Sequence, residues 1–223
     1  MTGKKFFINE AVEFGWHKMK ENLGFFIGLI LVVGLISIAM ELVQNLVLKN
    51  IPLLSILFTI FSLFVHIVIG MGMIRIALRF CSGEKGSFGD FFSCLPLFFK
   101  YLGGSILYAL IVIGGLILLI FPGVIWSIKF QYYSYLIIDQ GLGPVEALKK
   151  SAAITRGAKW SLLGFNIVIG IINLLGAICL LIGLFATMPT TMVAMAFIYR
   201  LLLSRLETEE IPGIPDQEII SAK

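Results

Sequence analysis

Residues 53–74 read LLSILFTIFSLFVHIVIGMGMI, twenty-two consecutive positions without an Asp, Glu, Lys or Arg. A helix of about 20 such residues spans the roughly 30 Å hydrocarbon core of a bilayer. The pattern recurs along the chain. Of 223 residues, 59% are hydrophobic and only 13% are charged, and the mean hydropathy is +1.01. Ordinary soluble domains carry about 25% charged residues, so this chain has too little charge to cover a water-facing surface. The composition excludes a secreted enzyme, a soluble binding module and a disulfide scaffold.

Working outward, apolar runs predict six transmembrane helices, at Leu23–Val43, Leu53–Ile74, Tyr101–Phe121, Pro122–Ile138, Trp160–Leu181 and Met188–Leu203. Pro52 and Pro189 suit the first turns of their helices, and Pro122-Gly123 suits a nearly loopless turn between the third and fourth spans. Of the 17 Lys and Arg residues, Lys49 alone falls on one side, Lys129 lies within a span, and the rest fall on the other side. The positive-inside rule then predicts both termini in the cytoplasm and a multi-pass protein of the cytoplasmic (inner) membrane. The basic pI of about 9.0 follows from topology and from attraction to anionic headgroups, with no need for nucleic acid.

Three short amphipathic segments interrupt the spans. Ile8, Val12, Trp16, Met19 and Leu23 step by three and four; a second segment runs from Ser87 to Lys100, with Ser87 and Asp90 at capping-box spacing; a third runs from Pro144 to Arg156. Each precedes a pair of spans. The fold expected is all-α and polytopic: three hairpins, each preceded by a short interfacial helix, in one domain over residues 1–205, followed by a flexible acidic cytoplasmic tail over 206–223. Glu10-Ala11 aligns with Glu146-Ala147, and the same offset aligns Gly28 with Gly164 and Gly34 with Gly170, as a tandem repeat would.

Three stretches carry a resemblance: Gly86-Ser87-Phe88-Gly89-Asp90-Phe91-Phe92, Phe121-Pro122-Gly123-Val124-Ile125, and the run Asp139, Gly143, Glu146-Ala147-Leu148, Ser151, Thr155, Gly157, Trp160. Together they resemble a family of uncharacterised prokaryotic six-helix membrane proteins, similar to the membrane domain fused to some glycerophosphoryl diester phosphodiesterases. The resemblance implies a fold and a prokaryotic membrane location. The catalytic domain of the fused proteins has no counterpart in these residues, so no catalytic residue is carried over.

Polar atoms within hydrocarbon need partners, and intramembrane polar residues are therefore the candidate site. Ser55, Thr59, Ser62 and His66 form one stripe on the second span, and Asn166, Gly170 and Asn173 another on the fifth. These stripes either line a polar pathway or supply interhelical hydrogen bonds. Lys129, seven residues after Pro122, is expected about 10 Å below the outer turn. It would snorkel outward beside Trp126, pair with Glu41, or meet an anionic ligand. The candidate intramembrane set is thus Ser62, His66, Lys129, Asn166 and Asn173, with Glu41–Lys129 as the candidate ion pair.

Gly24 and Gly28 form a GxxxG suited to close helix approach. Cys81, Cys94 and Cys179 show no metal-binding spacing, and His17 with Glu13 and Glu21 reads as a solvated cluster. No catalytic constellation, metal or cofactor is expected. The leading functional expectation is a non-catalytic membrane scaffold or accessory module. It would engage membrane lipids, anionic at the cytoplasmic face, and possible partners are a membrane protein or a second copy in a homo-oligomer. The alternative is a small transporter with a polar route between helices two, four and five.

Overall fold

The computed structural model describes residues 8–47, 51–179 and 183–210. These residues are helical throughout, in the order α1 (Ile8–Glu21), α2 (Leu23–Leu42) with a π-helical extension (Val43–Val47), α3 (Pro52–Cys81), a single turn α4 (Asp90–Ser93), a 3-10 turn (Leu95–Leu97), α5 (Phe98–Leu118), α6 (Ile120–Phe130), α7 (Tyr133–Gln140), α8 (Pro144–Ile154), α9 (Lys159–Ile178) and α10 (Leu184–Glu210). Among the described residues five stretches are long and apolar enough to cross a membrane: Leu23–Leu46, Pro52–Cys81, Asp90–Leu118, Lys159–Ile178 and Leu184–Thr208.

The expected fourth span differs. Its residues form α6 and α7, separated by Gln131 and Tyr132, and neither piece alone reaches spanning length. Both run back along α5. Gly115 meets Gly123, the Tyr108 hydroxyl donates to the Ser127 carbonyl at 3.3 Å, Gly104 faces Tyr133 and Ile137, and Lys100 Nζ donates to the Gly141 carbonyl at 2.7 Å. The hairpin is present, but its hinge is the extended residue Leu119, and Pro122 sits inside the first turn of α6, where its missing N–H costs nothing. Gly123 lies so close to Leu116 that a Cβ there would fall 2.5 Å from its side chain.

Other boundaries move for local reasons. Pro52 opens α3 as expected, whereas Pro189 is internal to α10, which starts five residues earlier at Leu184. The expected interfacial helix over 87–100 reduces to two short turns, and Phe98–Lys100 join α5. In this segment Asp90 accepts from the Ser87 N–H at 2.8 Å and binds Arg79 at 2.6 Å, which ties the turn to the end of α3. The first residues of the expected tail continue α10 as far as Glu210, and 211–223 lie outside the described residues.

The amphipathic segment near the N-terminus packs on the bundle through α10. α1 lies along α10 with Ala11, Gly15 and Met19 buried, while Trp16 and Leu23, placed on the same face by the sequence pattern, are exposed. Gly15 explains the rotation: a Cβ at this position would collide with the Thr190 carbonyl, so the two backbones touch. By contrast Gly24 has nothing near it, and Gly28 only the Phe88 ring at 4.0 Å, so the GxxxG makes no close helix contact among the described residues.

Burial is divided along the bundle. Leu53, Ile56, Leu57, Ile60, Phe61 and Leu63 of α3 are exposed, as are Ile117, Leu118 and Ile120 at the α5–α6 hinge, whereas Met71, Ile76, Ala77 and Leu78 are almost fully buried. The packed core gathers at the end of the bundle where the basic residues lie, around Tyr132, Leu136, Ile137, Phe165 and Tyr199. α7 is buried on every face from Tyr133 to Ile138, which is why this short segment reads as continuous hydrophobicity.

Gly15→Leu forces α1 off α10 and lowers stability by about 1–3 kcal/mol, as overpacking typically does. Gly24→Leu, in open space, serves as the control. Thermal unfolding in the same detergent compares them, and equal losses would show that the α1–α10 contact is misassigned.

Candidate functional site

The break between α6 and α7 frees backbone groups, and α8 takes them up. Ser151 on α8 and Thr155 at its C-terminal cap both donate to the Lys129 carbonyl at 3.1 Å, and the Ser151 hydroxyl accepts from the Tyr132 N–H at 3.2 Å. One buried hydroxyl therefore stands in for both partners of a missing helical turn. α8 is held in place by its own sequence: Pro144 occupies the first turn, Glu146 accepts from the Gly143 N–H at 3.2 Å, and Lys150 Nζ donates to Gln140 Oε1 at 2.8 Å.

On the far side of this contact Lys129 enters a cavity of about 310 Å³ lined by Lys129, Lys149, Ala152, Ala153, Arg156 and Lys159. Four cations converge there without a carboxylate in the lining. α8, the turn after it and the start of α9 bring three other basic residues to Lys129, a convergence the sequence reading did not anticipate. The Lys129 ammonium lies 5.0 Å from the Phe130 ring. Glu41 lies elsewhere, and no Glu41–Lys129 ion pair exists among the described residues.

The remaining candidates separate into three places. Ser62 and His66 line a groove of about 270 Å³ with Ser37, Met40, Glu41, Gln44, Phe58 and Thr59. There Gln44 Nε2 donates to Ser55 Oγ at 2.6 Å, and His66 Nδ1 is 2.8 Å from the Ser62 carbonyl. The second wall of this groove was not anticipated, although Ser37, Glu41 and Gln44 step by four and three along α2. Asn166 donates to Gln131 Oε1 at 2.8 Å beside the helix break, and Asn173 bonds Thr191 at 3.2 Å between α9 and α10. The asparagine stripe thus supplies interhelical hydrogen bonds, as one of its two readings anticipated.

A second ionic cluster closes the break from the α10 side. Asp139 accepts from Arg200 at 2.8 Å and from the Tyr199 hydroxyl at 2.9 Å, and Tyr199 packs against Tyr132 and Tyr135. Gln131 Nε2, Tyr132 Oη and Arg200 Nε are buried and have no hydrogen-bond partner among the described residues. Those described residues include no group of three His, Cys, Asp or Glu side chains able to hold a metal, and Cys81, Cys94 and Cys179 are free.

Residues 97–208 match the domain of unknown function DUF7847, half of the 223-residue chain. The chain belongs to the DUF7847 family. No curated protein and no solved structure matches it. The DUF7847 segment runs from the 3-10 turn to the last turns of α10, so it contains the broken helix, the four-cation cavity and the Asp139–Arg200 pair, and it leaves out α1–α3 with the Glu41–His66 groove.

Two predictions follow from this geometry. Ser151→Ala strands the Tyr132 N–H and removes one of the two donors to the Lys129 carbonyl, and costs about 1–3 kcal/mol; Thr155→Val, which leaves Ser151 on the same carbonyl, costs less. Chemical denaturation ranks the two variants, and the reverse order would refute the bridging role of Ser151. Because Glu41 and Lys129 occupy separate pockets, the effects of Glu41→Gln and Lys129→Met on stability add within about 0.5 kcal/mol in the double variant.

Proposed function

We propose that this DUF7847 protein is a six-span protein of a prokaryotic cytoplasmic membrane, with both termini in the cytoplasm, and that it works as a non-catalytic scaffold or accessory module whose basic end engages anionic lipid. The single observation that carries this reading is the cavity where Lys129, Lys149, Arg156 and Lys159 meet with no carboxylate in its lining. In the proposed topology α6 and α7 together make the fourth, discontinuous span, since irregular backbone is tolerated at membrane depth where protein buries it. The basic end faces the cytoplasm and its anionic leaflet, and the exposed apolar halves of α3, α5 and α9 face lipid tails. The likeness to the membrane domain of glycerophosphoryl diester phosphodiesterases supports the membrane location.

A transporter is the second reading. The observation that favours it is the broken helix with its unpartnered Gln131, Tyr132 and Arg200 atoms, since discontinuous helices frequently mark substrate sites in transporters.

Single cysteines introduced into a cysteine-free background test the topology: position 85 should react from the cytoplasmic side and position 119 from outside, and the opposite pattern would overturn it. In proteoliposomes the scaffold reading expects no proton entry above that of protein-free vesicles. Entry that disappears with His66→Ala would favour transport.

A further inference from the structure

We infer that Lys129, Lys149, Arg156 and Lys159 form a binding site for a phosphomonoester, a dianionic phosphate group carried by a lipid headgroup or free in solution. The inference rests on the reading of the protein as a module that engages anionic lipid, and narrows it to one headgroup chemistry.

Three elements build the site. α8 contributes Lys149, Ala152 and Ala153, whose spacing of i, i+3 and i+4 puts them on one helical face, and the turn that follows it contributes Arg156. The two alanines between Lys149 and Arg156 keep the floor of the cavity low. The end of α6 supplies Lys129, fixed in place because its own carbonyl is held by Ser151 and Thr155. Lys159, the first residue of α9, supplies the fourth charge. α9 is a 20-residue helix whose N-cap is Ala158, which offers no side-chain acceptor to the first-turn N–H groups. The positive end of that helix adds to the field at the cavity. Gly157, at φ +80°, is what lets the chain turn from α8 into α9 within so few residues.

Several other basic side chains have protein partners, although Lys20 and Lys85 form no ion pair among the described residues. Arg79 binds Asp90 and Glu84, Arg200 binds Asp139, and Arg75, Lys100 and Lys150 donate to Ile138, Gly141 and Gln140. The four cavity cations form no ion pair among the described residues. Like charges held together on a rigid frame repel, and a bound anion relieves that repulsion. A phosphomonoester carries about −1.5 to −2 at pH 7 and three acceptor oxygens, enough to meet a guanidinium and several ammonium groups at once. A phosphodiester carries one charge and leaves more of the repulsion in place. A cavity of about 310 Å³ is several times the ~30 Å³ share of one liquid water, which leaves room for a phosphate with some of its hydration.

The test uses the full chain in phosphatidylcholine nanodiscs and reads thermal unfolding. Phosphatidate, phosphatidylglycerol and inorganic phosphate are titrated separately against the native protein, the Lys149→Gln/Lys159→Gln variant and Ala152→Leu, which fills the cavity without removing charge. The native protein should reach its half-maximal shift at about tenfold less phosphatidate than phosphatidylglycerol, since a charge-assisted contact is worth about that factor, and both variants should lose the difference. A shift with inorganic phosphate alone would support the site and assign it a free phosphate; a shift with phosphatidate only would support it and assign a headgroup. Equal response to the two lipids, or a preference that survives in both variants, would overturn the site while leaving the anionic-lipid reading intact. No shift with phosphatidate, phosphatidylglycerol or inorganic phosphate would overturn both.

Discussion

Ser151 is a small residue with a large structural consequence. A helix that stops in the middle of a packed bundle leaves an N–H and a C=O without partners, and each buried polar group left in that state costs about 1–3 kcal/mol. Ser151 accepts from Tyr132 and donates to Lys129, with Thr155 reinforcing the same carbonyl. Once α6 can end there, α7 is free to bury all its faces, α8 is fastened alongside both, and Lys129 is carried to Lys149, Arg156 and Lys159. Remove the bridge and the position of the cavity has no anchor.

The distribution of charge follows from the same packing. At the basic end, Arg79, Arg200, Lys100, Lys150 and Arg75 are each engaged with a carboxylate, an amide or a carbonyl that another element brings to them. Those contacts fasten α3 to α4 and α7, α5 to the end of α7, and α7 to α8 and α10. The cavity cations stand apart from that network, which is what separates a structural use of basic residues from a binding one. The opposite end of the bundle is built differently, with large apolar side chains exposed on α3, α5, α6 and α9 and a polar groove between α2 and α3.

Two tertiary contacts lay outside what the sequence reading could reach, for physical reasons. Counting along α6 places Lys129 seven residues past Pro122, but not beside Lys149, Arg156 and Lys159, which other elements bring to it from twenty to thirty residues along the chain. The face of α1 was chosen by hydrophobic spacing, which ranks Trp16 above Gly15. In the structure backbone proximity to Thr190 outweighs side-chain hydrophobicity, so the smallest residue marks the contact and the largest is left outside.

The sequence by itself determined the class of the protein, because apolar runs, low charge and proline positions act locally: each helix long and apolar enough to cross a membrane is readable from its own residues, as are Pro52 at the start of α3, the hairpin near Pro122 and α8 between Gly143 and Thr155. Ser151 and Thr155 were legible as part of a recurring stretch, but not as the cap of a broken helix, since hydrogen bonds across 19 to 26 residues have no periodic signature. Tertiary structure alone decided that the helix expected over Pro122–Ile138 is interrupted, that the polar stripes do not converge, and that four cations scattered from 129 to 159 share one cavity. Spacing along a chain fixes which residues share a helical face. Which faces meet depends on packing between helices, and that is where this site is made.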